Sequence, residues 1–277
     1  MILEVINVDH GACALITTSN GSQLMIDCGH HVERRWWPGS ALAMANIRWL
    51  DRLFITNFDE DHASGMANLQ ANVGVSALVT NPTIGVATLR DIKSKGGGIG
   101  PGISALADSM EHVFTGGTPL PTDFGDTSFS VYYHPYNALT GFSDTNNLSL
   151  VVFVTCGRHK IIFPGDLEKP GWKAHLRNPD FVRELWGVTL FIASHHGREN
   201  GYCEDVMDLC PNINAVIFSD KKKGYQTQET VELYRRHAQG LHYDGQLRRV
   251  LTTRRDKSMR FALDPMGGGL ISLRHAA

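Results

Sequence analysis

The sequence contains no long apolar run. None of its apolar stretches reaches the ~18 residues that a membrane-spanning helix needs. The amino-terminal stretch MILEVINVDHGACALITT also lacks a basic segment followed by a long apolar one, so no secretory signal is predicted. We therefore expect a soluble, cytoplasmic protein that has no membrane partner.

Cysteine is scarce and its spacing is irregular. The five cysteines are an odd number, and no two have the C-x-x-C spacing of redox motifs and thiolate zinc sites. This pattern argues against a disulfide framework and favours free thiols in a reducing compartment. The cysteines are Cys13, Cys28, Cys156, Cys203 and Cys210.

An excess of one charge is also missing. A formal net charge of −2 over 277 residues predicts no strong attraction to nucleic acid or to an anionic membrane. The local basic groups at 221–223, 248–249 and 254–255 are typical of solvated loops and strand edges. With 42% hydrophobic residues the chain can bury a large core, and we predict a single domain over residues 1–277.

Glycine and proline are concentrated between residues 81 and 126. The stretches KSKGGGIGPG and FTGGTPLPTDFGD flank one helix-like piece at 103–112. A glycine cluster can cradle phosphate, but this one lacks the Lys-Ser/Thr ending of a phosphate loop, and no clear strand leads into it. We predict a surface loop or insertion here.

The rest of the chain alternates strand and helix patterns in two similar halves. Asn20-Gly21, between two apolar stretches near the amino terminus, predicts a hairpin. Strands begin and end the chain, helices are interleaved in each half, and no linker separates the halves. This order predicts two sheets packed face to face with helices outside them.

Polar clusters follow apolar strands at repeated positions, and strand ends are where layered α/β folds bind ligands. Their carboxylate oxygens and imidazole nitrogens are the ligands of zinc, manganese and iron. Dense carboxylates repel one another unless a cation neutralises them, so we predict a metal site. The clusters are Asp9-His10, Asp27, Asn57 through His62, His134, Asp166 and His195-His196.

Four motifs in order resemble the metallo-β-lactamase fold, and within it the hydrolase domain of ComEC/Rec2-type competence proteins. VDHGACALITTSNGSQLMIDCG is similar to the first hairpin of the family, ending at a structural aspartate, here Asp27. TNFDEDHASGM resembles the signature T-H-x-H/D-x-D-H-x-x-G. NNLSLVVFVTCGRHKIIFPGD and ASHHGREN resemble the G-D and H-H-G-S segments of that branch.

The resemblance implies an αββα sandwich that holds one or two zinc ions, with manganese as the alternative. It implies hydrolysis of a phosphodiester or other phosphoester by a metal-bound hydroxide, on a substrate such as a nucleotide or single-stranded nucleic acid. It assigns catalytic roles to Asp61, His195 and His196. The implied metal ligands are Asn57, Asp59, Asp61, His62, His134, Asp166, His195 and His196.

Two departures from the family pattern leave other functions open. Asn57 replaces the first signature histidine, and an amide oxygen suits hard cations better than zinc. The late Gly-His-Pro of ComEC-type domains is replaced by KGYQTQ, which has no histidine. One alternative is a non-catalytic interaction protein with a degenerate site, and another is a thioester or lactone hydrolase. Arg198 replaces the serine after H-H-G and is either a phosphate-binding residue or a loop arginine.

Overall fold

The computed structural model describes residues 1–96, 98–111, 120–137, 139, 141–219, 226–266 and, for the backbone, 270–273. The described chain forms strands β1 (Ile2–Val5), β2 (Cys13–Thr17), β3 (Gln23–Cys28), β4 (Trp49–Leu50), β5 (Arg52–Phe54), β6 (Gly74–Val75), β7 (Leu78–Val79), β8 (Thr127–Tyr132), β9 (Val151–Cys156), β10 (His159–Phe163), β11 (Leu190–Ile192), β12 (Ala215–Phe218), β13 (Leu241–Tyr243), β14 (Gln246–Arg248), β15 (Val250–Thr252), β16 (Met259–Leu263) and β17 (Leu270–Leu273). Its helices are α1 (Pro38–Met44), α2 (Glu60–Ala63), α3 (Met66–Asn72), α4 (Val86–Lys95), α5 (Pro101–Glu111), α6 (Lys169–His175), α7 (Pro179–Trp186), α8 (Glu204–Asp208), α9 (Val231–Arg235) and α10 (Thr253–Asp256). None of the helices in the described ranges combines the length and apolar character needed to cross a membrane.

Two large mixed sheets share one plan. The first has the order β17-β16-β1-β2-β3-β5-β7, and the second has the order β15-β12-β11-β10-β9-β8. In each, an antiparallel meander (β1-β2-β3 or β8-β9-β10) is followed by parallel strands (β5 and β7, or β11, β12 and β15). Parallel neighbours end at the same edge of a sheet, so the loops after β3 and β5, and those after β10 and β11, lie side by side.

Alternating side chains divide the protein into four layers. In β9, Val152 and Val154 point into the core between the sheets, whereas Val151 and Phe153 pack against the helices outside. Successive side chains of a strand point to opposite faces, so a strand buried on both faces reads as a continuous apolar run. The αββα sandwich predicted from the sequence is confirmed.

The helices cover the outer faces of both sheets. Helices α1 to α5 contribute the buried side chains that pack against the outer face of the first sheet. Helices α6 to α9 do the same for the second sheet, with Trp172, Phe181 and Tyr234 among the largest side chains. Removing a buried ring such as Phe181 costs about 3–5 kcal/mol, so packing of the outer helices contributes to stability.

The hairpin prediction at Asn20-Gly21 is confirmed. Strands β2 and β3 pair antiparallel, and Thr18 N donates to Ser22 O at 3.0 Å across the turn. Gly21 has a φ of 87°, a left-handed conformation that glycine adopts without steric cost.

Residues 81–126 contain more regular structure than the sequence predicts. Two helices, α4 and α5, occupy this segment, where the sequence predicts one helical piece in a loop. Leu89 and Ile103 are buried in the outer layer, so tertiary packing stabilises helices whose flanking glycines obscure them. Glu60 caps α5, because its carboxylate accepts from Gly102 N at 2.7 Å and Ile103 N at 3.1 Å. Gly97 and 112–119 lie outside the described residues.

Candidate metal centre

Four side chains from distant parts of the chain meet between the two sheets. Each offers one ligand atom, and these atoms lie within 4.8 Å of one another. His62 Nε2 is 3.1 Å from Asp166 Oδ1, and His196 Nε2 is 3.0 Å from Asp61 Oδ2 and 3.4 Å from Asp166 Oδ1. The set, called here the Asp61–His196 cluster, consists of Asp61, His62, Asp166 and His196.

A short helix after β5 delivers the first two members. Backbone packing around Asp61 is close, since a Cβ at Gly11 would lie 2.3 Å from Asp61 O and one at Gly29 would lie 2.7 Å from it. Such distances are shorter than van der Waals contact, so both positions require glycine. Asp166 follows β10, where its backbone N–H donates to Ser149 Oγ at 3.1 Å.

A left-handed turn delivers His196. His195 and His196 have φ values of 49° and 52°, and Gly197 has a φ of 78°. Non-glycine residues rarely adopt this conformation, and it persists only where surrounding contacts fix it. Here His195 N donates to Gly165 O at 3.1 Å, and Gln228 N donates to His196 O at 2.9 Å. Strain of this kind is characteristic of functional sites.

Asp27 orients His62 from behind the cluster. His62 Nδ1 lies 2.9 Å from Asp27 Oδ2, and Thr56 donates to the same carboxylate through its N–H (2.7 Å) and its hydroxyl (2.6 Å). A proton on Nδ1 leaves Nε2, which faces Asp166, as the ring atom that a metal ion would take. Carboxylate–histidine pairs of this kind fix the tautomer of metal-binding histidines. The structural role predicted for Asp27 is confirmed by these bonds.

Electrostatics couple the four members strongly. Burial alone would raise the pKa of Asp166, but the His196 and His62 imidazoles outweigh it and hold that pKa well below the usual range. His62 and His196 do the same for Asp61. Burial would lower the pKa of His196, yet the Asp166 and Asp61 carboxylates raise it to about 9. Carboxylates also raise the pKa of His62.

The donor set fits a divalent cation. Atoms bound at ~2.1 Å around a tetrahedral ion lie about 3.4 Å from each other, close to the separations of three ligand pairs here (3.0–3.4 Å), while the whole set lies within 4.8 Å. Two imidazoles and two carboxylates are ligands that zinc accepts. The described residues place no lysine or arginine within 4.0 Å of either carboxylate, so the two imidazoles are their charge partners here, and a bound cation would take over that role. A cavity of about 30 Å³ adjoins His62, Asp166 and His196 and has room for a water molecule.

Two predicted ligands of a second ion are engaged elsewhere. Asn57 is fully buried; its Oδ1 accepts from Asp59 N at 2.8 Å and its amide donates to Asn146 and Ser149. Asp59 pairs with Lys93 and accepts from Thr145 Oγ1 at 3.1 Å. Asp59 therefore lies outside the cluster with an ammonium group as its charge partner, and the Asn57 oxygen already accepts a backbone hydrogen bond.

His134 also lies outside the cluster. Its ring stacks on His175 with centroids 3.8 Å apart and contacts Phe142, and its Nε2 is 2.9 Å from Gly171 O. Burial lowers the pKa of His134. The ligand role that the resemblance implied for His134 is therefore not supported, because its ring packs against His175 and Phe142 and its Nε2 faces a backbone carbonyl.

The paired histidines have different surroundings. His195 Nε2 is 3.8 Å from Asp166 Oδ2 and accepts a hydrogen bond from Arg198 Nη1 at 3.0 Å. Burial lowers the pKa of His195, and the nearby Arg198 charge adds to this effect. His195 therefore has no lone pair directed at the cluster, and of the two histidines only His196 belongs to it.

His10 is a neighbour of the cluster that sequence reasoning did not assign to the site. Its Nε2 lies 3.6 Å from Asp61 Oδ2, and its ring centroid is 5.6 Å from that of His196. Its position directly after an apolar strand, like that of the ligands, was the available signal.

Comparison with known proteins supports the fold. No family model and no curated protein matches this sequence. A solved structure of the CmlA beta-hydroxylase E377D mutant matches with a TM-score of 0.53 at 13% identity, covering 95% of this chain and 54% of that one. The protein has the metallo-β-lactamase fold.

A second match has the same extent. CmlA, described as a diiron beta-hydroxylase from Streptomyces venezuelae, gives a TM-score of 0.51 at 14% identity, again covering 95% of this chain and 54% of that one. This chain spans about half the length of both CmlA structures. A diphosphatase from the PhnP family, at 9% identity, covers 95% of this chain and 98% of that one, but its TM-score of 0.45 is too low to carry an argument. At such identities the matches show the fold alone, so the relation to ComEC/Rec2-type domains stays a prediction.

Proposed function

We propose that this protein is a metal-dependent hydrolase that cleaves a phosphodiester or another phosphoester bond. The observation that carries the proposal is the convergence of the four ligand atoms of the Asp61–His196 cluster within 4.8 Å of one another. Zinc is the ion we favour, with manganese as the alternative, because imidazole suits zinc and carboxylate suits manganese. The phosphoester preference comes from the resemblance to ComEC-type domains, and a nucleotide or a short single strand would be the substrate.

One ion per chain is the stoichiometry that the contacts support. The described residues contain one group of three or more histidine or acidic side chains with converging ligand atoms. The carboxylate of Asp59 already has Lys93 as its cation, and the oxygen of Asn57 already accepts a backbone hydrogen bond. A second ion would have to displace both contacts.

When bound, a divalent cation lowers the pKa of a coordinated water and polarises a phosphoryl oxygen. The chain's own residues prepare the site for that chemistry. Asp27 keeps the proton of His62 on Nδ1, which leaves Nε2 as a ligand atom. His10 Nε2 lies 3.6 Å from Asp61 Oδ2, close enough to the cluster to act on the leaving oxygen as a general acid in this proposal.

The test combines metal analysis with a substrate panel. Protein expressed with added zinc or manganese should contain about one equivalent of metal, whereas less than about a tenth of an equivalent would favour the non-catalytic interaction protein. Bis-p-nitrophenyl phosphate, single-stranded DNA and a thioester should be compared. Faster cleavage of the thioester would favour a thioester or lactone hydrolase.

Two neighbouring aspartates provide a matched pair of variants. Asp61→Asn should abolish metal binding and phosphodiester hydrolysis, because it removes a ligand from the cluster. Asp59→Asn makes the same chemical change two residues away and should leave metal content near that of the unsubstituted protein. Equal activity in Asp61→Asn and the unsubstituted protein would refute the proposed site.

A further inference from the structure

The turn after the histidine pair carries a guanidinium group without a carboxylate partner. Arg198 Nη1 donates to His195 Nε2 at 3.0 Å, and Arg198 Nε is buried with no hydrogen-bond partner. No acidic side chain of the described residues lies within 4.0 Å of this guanidinium, although several arginines elsewhere in the protein form such pairs. Burying a charged donor without an acceptor is costly, so such a donor suggests that a ligand supplies the acceptor.

His195 fixes the guanidinium without neutralising it. Because Nε2 accepts the hydrogen bond, the ring is neutral and carries its proton on Nδ1, which lies 3.5 Å from Glu168 Oε1. That carboxylate oxygen is itself engaged by the amides of Asn146 (2.9 Å) and Asn200 (2.7 Å). Arg198 therefore keeps its positive charge available to an anion.

Two short contacts link this charge to the metal centre. Arg198 Nη1 is 3.0 Å from His195 Nε2, which is 3.8 Å from Asp166 Oδ2. Asp166 belongs to the cluster, so Arg198 Nη1 lies at most about 7 Å from a cluster oxygen, a separation that a phosphoryl group held by an ion there would bridge. The two donor edges of a guanidinium match the oxygens of phosphate, which makes arginine better suited to this role than lysine.

We infer that Arg198 is the substrate-binding residue that receives the anionic oxygens of the phosphoryl group, and that His195 is the positioning residue that orients it. The inference rests on the proposed function, because the phosphoryl group is that of the proposed substrate. It predicts selection for anionic phosphoesters over neutral esters of similar size.

Inorganic phosphate is the direct probe. Calorimetric titration of zinc-loaded protein with phosphate should give a dissociation constant that rises about tenfold to a hundredfold in Arg198→Gln, while zinc content stays the same. Arg198→Lys keeps the positive charge but not the paired N–H donors of the guanidinium, and it should lose less phosphate affinity than Arg198→Gln. Arg183→Gln is the matched control, since Arg183 is exposed and pairs only locally with Asp180. Equal phosphate affinity in Arg198→Gln and the unsubstituted protein would overturn the inference.

The positioning role of His195 predicts rescue by a conservative change. His195→Gln retains an acceptor oxygen for Arg198 and should bind phosphate better than His195→Phe, which has none. Both variants should keep their zinc, because His195 lies outside the cluster. Indistinguishable phosphate affinities in the two variants would refute this role, whereas a purely structural role would change melting temperature without this difference.

Kinetics separate this inference from the proposed function. Arg198→Gln should raise KM for bis-p-nitrophenyl phosphate by a larger factor than KM for neutral p-nitrophenyl acetate. The unsubstituted protein could cleave no phosphodiester while the Arg198→Gln variant still binds phosphate more weakly than it does. In that case the proposed function fails and the anion site stands. If acetate binds to the zinc-loaded protein as tightly as phosphate, the assignment to a phosphoryl group is wrong.

Discussion

Two groups of buried histidines in this protein have opposite electrostatic surroundings. His62 and His196 lie between carboxylates, whereas His134 and His175 stack on each other, and His175 also stacks on Phe181 with centroids 4.6 Å apart. Burial by itself would lower the pKa of each of these four rings. For His196 the carboxylates outweigh burial and raise the pKa to about 9. For His175, burial and, to a smaller extent, the neighbouring His134 lower the pKa to about 3. Neighbours, and not burial, distinguish a candidate ligand from a core side chain.

Among the substitutions considered, Asp166→Asn should have the largest effect on metal binding by the carboxylate-flanked histidines. Asp166 contacts both His62 and His196, so its loss removes a ligand and the charge that holds the two rings together. We expect metal affinity to fall at least about a hundredfold, measured by competition with a chelator. His175→Phe, in the other histidine group, should keep its metal. Loss of metal in His175→Phe, or its retention in Asp166→Asn, would contradict the comparison.

Asp27→Asn should have an intermediate effect on metal binding. The substituted amide keeps one acceptor oxygen but no longer supplies the charge that fixes the His62 tautomer. Replacing a partner of a metal-binding histidine lowers metal affinity about tenfold to a hundredfold. The same competition with a chelator measures the metal affinity of Asp27→Asn. An unchanged dissociation constant for the metal would show that Asp27 contributes only to the fold.

The stacked pair predicts a loss of stability in acid. The pKa of His175 is lowered to about 3 in the folded protein, so the unfolded chain binds the proton first as the pH falls below about 6.5. The stability present above pH 6.5 is therefore lost progressively towards pH 3, by about 2 kcal/mol at pH 5 for this group. In His175→Phe, the difference in unfolding free energy between pH 7 and pH 5, measured with urea, should shrink by that amount. If the unfolding free energies of His175→Phe and the unsubstituted protein depended on pH in the same way, the predicted role of His175 would be refuted.

Lys93→Met should have the smallest effect. Lys93 pairs with Asp59 at a partly exposed position, and such pairs contribute about 1 kcal/mol or less. We expect a small decrease in unfolding free energy and an unchanged single equivalent of metal. The double variant Asp59→Asn with Lys93→Met should recover part of the loss, because it leaves no unpaired charge. A second equivalent of metal in Lys93→Met would show that the lysine occupies a latent ion site.

The sequence predicted the region of the candidate metal site more accurately than it predicted which side chains form that site. All eight predicted ligands lie near strand ends, but among the histidine and acidic side chains of the described residues the converging group consists of Asp61, His62, Asp166 and His196. The local sequence around Asp59 does not predict its ion pair with Lys93, which lies on a helix 34 residues away. A side chain such as Asp59 can bind a metal ion, an ammonium group or a backbone amide. Contacts with residues that are distant in sequence determine which of these partners it has.

The fold was more predictable than the site because its signals are local and repeated. Alternating apolar residues, the Asn20-Gly21 turn and polar strand ends determined the αββα plan and the edge where the site lies. Helices α4 and α5 were missed in part, because packing against the outer layer outweighs their glycine-rich flanks. The sequence thus determined which groups carry the chemistry. Only the tertiary structure decided which of them face one another, because charge pairing between buried groups depends on distances of a few ångströms that no spacing along the chain encodes.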